Sequence, residues 1–117
     1  MRTLTSCLLP LFLVGCCRPT GEWVDQLKAP DSAQRLHAIR ALGDRPHDAP
    51  VVVPALSEAL KDKDAFVRRD AANALARIGP QAQAAIPALR PLLRDRNASV
   101  RRAAEEAIRK IEPSRAG

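Results

Sequence analysis

The sequence predicts an all-α protein, a short α-solenoid (α-α superhelix) of three helix pairs, and three observations predict it. First, the chain matches itself without gaps at an offset of 33 residues: Trp23, Leu56 and Leu89 fall in register, as do Leu27, Leu60 and Leu93, and then Arg35, Arg68 and Arg101. A period of this size marks stacked supersecondary units, none of which buries its apolar face alone. Second, aromatic residues make up only 3% of the chain, with no Tyr, so the core is built from Leu, Ile, Val and Ala. Such a core suits close-packed helices, because strands fill their faces with β-branched and aromatic side chains. Third, apolar residues in each unit recur at helical spacing behind residues that cap helices.

Residues 1–15 precede that pattern and differ from it. Arg2 is followed by an apolar run, LTSCLLPLFLVG at residues 4–15. This run is shorter than the roughly 20 residues a membrane span needs and has the layout of an export signal. LVGC at 13–16 resembles the lipobox of bacterial lipoproteins. The resemblance implies cleavage before Cys16, a diacylglyceryl group on its sulfur and acylation of the new N-terminus. Lipid chains contribute about 0.8 kcal/mol per buried CH₂, so two or three of them anchor stably. Residues 16–21 then form the lipidated end and a short tether, and an extended reach of about 3.6 Å per residue keeps the domain near the bilayer. Cys17 stands where lipoproteins retained at the inner membrane carry Asp, which by that sorting rule favours the outer membrane. Once Cys7 leaves with the signal and Cys16 carries lipid, Cys17 remains alone, so no internal disulfide forms.

The repeats occupy residues 22–112, in units of about 22–49, 51–80 and 84–112, with a tail at 113–117. In the first unit Thr20 is placed to cap a short helix bearing Trp23 and Leu27, and Asp31 with Gln34 has capping-box spacing. In the second, Pro54 sits where a first helical turn tolerates a missing N–H, and Asp64 is the N-cap of the next helix. Val67, Ala71, Ala74, Leu75 and Ile78 then make one apolar stripe, which Gly79-Pro80 ends. The third unit repeats the plan with Pro87, Asn97 as cap, and Val100, Ala104, Ala107, Ile108 and Ile111. Pro91 falls inside its first helix and is expected to bend it. No polar closing helix follows Ile111, so self-association or partner docking through the last repeat is expected.

Pro54, Asp62, Val67-Arg68, Ala71, Ala74 and Leu75, repeated as Pro87, Asp95, Val100-Arg101, Ala104, Ala107 and Ile108, resemble HEAT repeats, in particular the short HEAT-like type also found in phycobilin lyases. In that family an Asp and the Arg six residues later belong to hydrogen-bonded ladders between repeats. The resemblance therefore implies structural pairs Asp62 with Arg68 and Asp95 with Arg101. Ala29 stands where the first repeat's Asp belongs, although Arg35 is present, and no rung is implied there.

The doubled arginine in VRRDAANAL, from Val67, and VRRAAEEAI, from Val100, thus divides in two. At about 100° per residue, Arg68 flanks the apolar stripe while Arg69 points away from it. The resemblance puts second helices on the concave surface, so Leu36, Arg69 and Arg102 form one row with Arg40, Asn73 and Glu106 beside it. This row is the candidate protein-binding face, and the implied role is a non-catalytic scaffold or adaptor on the cell envelope with an unidentified protein partner. Glu105 to Arg109 and Glu106 to Lys110 are favourable i, i+4 pairs on the same helix.

Net charge is +6, and +5 once Arg2 leaves with the signal; residues 85–117 hold eight of the basic and four of the acidic groups. An alternative role is therefore electrostatic binding of anionic lipid or envelope polymer. Nucleic acid is a poor fit, since stacking platforms need aromatics that the chain lacks. His37 and His47 have no companion Cys, Ser or carboxylate arrangement suited to catalysis or a metal, so neither an enzyme, a cofactor nor a metal site is expected. The lyase resemblance covers the repeat alone, matches no catalytic residue, and carries no lyase-type accessory activity over.

Overall fold

The computed structural model describes residues 18–113, and within them there is helix and no strand. The expected signal peptide at residues 1–15, the expected lipidation site Cys16, Cys17 and residues 114–117 lie outside the described residues.

Two helices make the first unit. Helix α1, Thr20–Gln26, begins at Pro19 and buries Trp23. Thr20 does not cap it: the hydroxyl donates to Asp48 Oδ2 and accepts from Arg45 Nη1 at 3.0 Å, pinning α1 to the loop after α2. Helix α2, Ser32–Gly43, starts as expected at Asp31, whose carboxylate accepts from the Ala33 N–H. Ala38, Ile39 and Leu42 on α2 are fully buried.

A 3₁₀ turn, Pro46–Asp48, leads into α3, Ala49–Ala59. Pro50 takes the tolerant first turn, and Pro54 is interior to the helix, not at its start as its spacing suggested. Helix α3 starts earlier because Ala49 and Val52 are themselves buried and extend the apolar face upstream. Helix α4, Ala65–Ile78, is capped by Asp64, which accepts from the Phe66 N–H at 2.9 Å, and it ends at Gly79, whose φ of 78° is open to glycine without strain.

The third unit has no continuous first helix. Gly79–Ala85 is 3₁₀, Ile86–Leu89 is a single α-turn named α5, and Arg90–Arg94 is 3₁₀ again. Pro80, Pro87 and Pro91 remove three donors over twelve residues, so the segment breaks where one bend was expected. Helix α6, Ala98–Ile111, is regular, and Asn97 caps it by accepting from the Ser99 N–H at 2.8 Å.

Helices α2, α4 and α6 pack side by side in one layer, and α1, α3 and the broken third segment form the other. The core runs continuously between the layers, with Leu42, Leu56, Leu75, Leu89 and Ile111 at or near zero exposure. Short side chains let α2 and α4 approach closely. A Cβ on Gly43 would meet the Ala74 Cβ at 3.0 Å and run into the Arg77 guanidinium, which donates to the Arg40 carbonyl at the end of α2. No helix among the described residues is long and apolar enough to cross a membrane.

Candidate binding face

Two sets of arginines emerge from the second-helix layer, and they do different things. The inner set stitches the repeats. Arg68 Nη1 donates to two carbonyls of its own unit, Asp62 at 2.8 Å and Lys63 at 3.1 Å. Its other edge reaches the next unit, with Nε to Asp95 Oδ2 at 2.8 Å and Nη2 to Asp95 Oδ1 at 3.0 Å. Two parallel bonds from a fork to a carboxylate are the strong form of this interaction, and both side chains are over nine-tenths buried. Asp95 Oδ1 also accepts from the Asn97 N–H at 2.9 Å. Hydrogen bonding from Arg68 holds the Asp95 carboxyl below its ordinary range, against the opposing effect of burial, with help from Asn97 and the charges of Arg68 and Arg96.

The pairing therefore runs from each Arg to the following repeat's Asp, across 27 residues. Within a repeat the six-residue pair is only a bond to the Asp backbone. This corrects two expectations. Asp62 and Arg68 do not pair through their carboxylate, nor do Asp95 and Arg101. The first repeat does have its rung: Arg35 bonds the Ala29 and Pro30 carbonyls at 2.7 and 2.9 Å, and its Nη2 donates to Asp62 Oδ1 at 3.3 Å. Ala29 costs nothing there, because a carboxylate at that position would serve a preceding repeat. The first rung is looser: Arg35 Nε lies 2.9 Å from Asp62 Oδ2 without hydrogen-bond alignment. Arg101 donates to the Asp95 carbonyl in the same manner and, among the described residues, meets no carboxylate.

The outer set faces solvent on the same layer. Arg69 is not free, as its direction on the helix suggested: its side chain is two-thirds buried, its Nε and Nη2 lie 3.0 and 2.9 Å from Asp70 Oδ1, and its guanidinium sits 5.2 Å from the Phe66 ring centre. Asp70 Oδ2 is 3.4 Å from Arg40 Nη2 on the neighbouring helix. One nearly buried carboxylate thus draws together two of the arginines expected on the face. Leu36 is half-buried and Asn73 exposed on the same side. Arg102 is exposed and has no bond to Arg69 or Asn73, and Glu106 turns to its own helix, pairing with Arg109 and with Lys110 at 3.7 Å. The expected Glu105 to Arg109 pair is replaced by this i, i+3 partner.

Sequence reasoning missed Asp70 and Phe66, the second of which is 61% exposed. Their register equivalents are His37 and Ala103, and Ala33 and Ser99, so averaging over repeats removed the signal. A residue unlike its two counterparts was the clue. His37 itself packs its ring 5.0 Å from that of Trp23, over which Arg18 also lies at 4.7 Å, a local closure of the first unit. No group of His, Cys, Asp and Glu among the described residues is arranged to hold a metal ion.

Open surface cavities lie elsewhere, on the first-helix layer. One of about 520 Å³ separates α1 from α3 and is lined by Val24, Leu27, Val51 and Pro54; another of about 410 Å³ lies between α3 and the third segment. Both are open; the first also has Lys28, Glu58 and Asp62 on its wall, and the second has no charged side chain.

No curated protein matches this chain. A family model described as HEAT repeats matches residues 21–109, which takes in all three units and both rungs of the ladder, and HEAT repeats generally mediate protein interaction. The chain belongs to the HEAT-repeat family.

Proposed function

We propose that this protein is a non-catalytic scaffold or adaptor that holds another protein at the bacterial cell envelope, to which it is anchored as a lipoprotein through Cys16. The observation that carries the reading is the Phe66, Arg69, Asp70, Arg40 cluster. An exposed aromatic ring beside an arginine is the kind of pair on which interfaces concentrate their binding energy. Asp70 holds Arg69 and Arg40 in place beforehand, so less side-chain freedom is lost when a partner arrives. Two arginines against the one carboxylate of Asp70 suit a segment carrying acidic and apolar side chains. LVGC and the tether of a few residues support a location outside the cytoplasm and close to the lipid surface, with the outer membrane favoured by Cys17.

Cross-linking with mass spectrometry in the protein's own cells tests this. A specific envelope protein should be captured by the native chain and lost with Arg69→Glu plus Arg102→Glu, while the helical circular dichroism at the growth temperature is retained. In the same cells Cys16→Ala should release the chain from the membrane fraction. An identical capture profile in the double variant overturns the face, and membrane retention of the Cys16 variant overturns the anchor.

The second reading, attraction to anionic lipid or polymer, is supported by exposed Arg90, Arg94, Arg96 and Arg102 in the last unit. Unlipidated protein would then bind anionic vesicles and release as salt shortens the screening length from about 10 Å to about 3 Å. Binding that survives high salt contradicts it.

A further inference from the structure

The outer side of the first-helix layer is apolar where a water-facing helix side ordinarily carries charge. On α3, Pro50, Val51 and Pro54 are exposed, Val51 at 54%. Pro54 lines both open clefts, so these residues form a ridge with a groove on either side, and Ala84 stands across the second groove. In the third segment, which has close to three residues per turn, Gln81, Ala84, Pro87 and Arg90 fall in one row and all are exposed. Residues 49–57 and 79–94 contain no Asp or Glu, and their charged residues are Arg90 and Arg94 alone. The second-helix layer, by contrast, exposes Arg40, Arg77, Glu105 and Lys110. Glu58, one turn beyond Pro54, marks the edge of the ridge. This surface runs along the outside of the layer, so further repeats at either end would leave it uncovered.

The root of the tether lies at the head of this surface. The Arg18 carbonyl accepts from Arg45 Nη2 at 2.7 Å, and the Thr20 hydroxyl donates to Asp48, the residue immediately before α3. Cys16 is two residues upstream of Arg18, a reach of at most about 7 Å. We infer that the ridge and the third segment seat on the phospholipid leaflet that holds the anchor, with Pro50, Val51 and Pro54 at the boundary of headgroups and acyl chains and Arg90 and Arg94 at the phosphates. The inference rests on the lipid anchor of the preceding reading and adds an orientation to it. With this layer on lipid, the Phe66 and Arg69 cluster on the other layer is turned to the aqueous side, where a protein reaches it. So small an apolar patch holds weakly from solution, but a tether of a few residues keeps it at high local concentration. The acyl chains supply the attachment and the patch sets the direction.

Photo-activatable side chains placed one at a time at positions 51, 84 and 73 of the full chain, expressed in its own cells, test the inference. Positions 51 and 84 should cross-link phospholipid about fivefold or more above position 73, which lies on the second-helix layer. Val51→Asp should lower the lipid cross-link from position 84 by a similar factor while the amount of protein in the membrane fraction stays the same, because an exposed carboxylate leaves the fold intact and resists the leaflet. Protein found in the soluble fraction overturns the anchor and the seating that rests on it. Protein in the membrane fraction whose positions 51 and 84 cross-link lipid no more than position 73, or cross-link chiefly to protein, overturns the seating and leaves the anchor standing. A cross-link from position 84 indifferent to Val51→Asp overturns the seating as well.

Discussion

Arg68 and Arg101 occupy the same position of the same motif, yet the first is 7% exposed and grips a carboxylate with two donors while the second is exposed and holds a single backbone carbonyl. The backbone around them is alike: both helices run for fourteen residues from a side-chain cap three residues ahead of the Val-Arg-Arg run. The difference comes from what stands beyond. A repeat encodes the pose of its arginine, and the neighbour decides whether that pose is a bond between repeats or a single contact within one. For solenoids this separates what a motif shows, the geometry, from what it leaves open, the role.

The sharpest way to break the comparison is to remove each arginine in turn. Arg68→Ala leaves Asp95 buried with its charge and no cation, which costs about 3–5 kcal/mol. Arg101→Ala strips an exposed side chain from one carbonyl and should cost under about 0.5 kcal/mol. Arg35→Ala should fall between them, since its rung is longer and poorly aligned at Nε. Urea unfolding of the three variants checks the order Arg68, Arg35, Arg101. Equal losses at positions 68 and 101 would mean that α6 has a partner surface in the isolated protein.

The leucines extend the same contrast to the core. Leu60→Ala empties a fully packed position between the second and third units and should cost about 2–4 kcal/mol. Leu93→Ala, at the equivalent place in the last unit, removes a side chain already 42% exposed and should cost less than half as much. Melting temperatures in parallel read the difference directly. A Leu93 variant as damaging as the Leu60 variant would contradict the exposed end.

Much of this was legible in the sequence because the fold follows from repetition. Three units in register, with Asp31, Asp64 and Asn97 as caps, identify the second helices within a residue. The first helices were less legible: a proline in a first turn and a proline in a helix interior look alike until the upstream limit of the buried stripe is known, which is why Pro54 was misplaced. The rungs were half legible. Arg and Asp were identified from the family resemblance, but spacing along a chain does not say which Arg reaches which Asp once units stack, and the true partner lies 27 residues away. The face was least legible, because Phe66 and Asp70 matter through being exceptions to the repeat.

The finest test of the comparison uses pH. Asp95 is held below the ordinary carboxylate value of 3.8 in the folded protein and returns toward it when the chain unfolds. The unfolded state therefore binds a proton first as pH drops, so the stabilisation from this group is fully present above that ordinary value and fades as pH falls through the folded one. In the native protein the acid limb of stability should be steep at the bottom of this window. Asp95→Asn, already weaker at neutral pH, should show a shallower limb, and the two curves should converge as pH falls. Arg68→Gln should flatten the limb as well, because the Arg68 hydrogen bond is the chief cause of the lowered value. Arg101→Gln should leave it unchanged: that arginine bonds the Asp95 carbonyl, which does not titrate in this range, and not the carboxylate. A limb that flattens equally with either arginine replaced would show that long-range positive charge, and not the two-donor bond across the repeats, sets the acid response of Asp95.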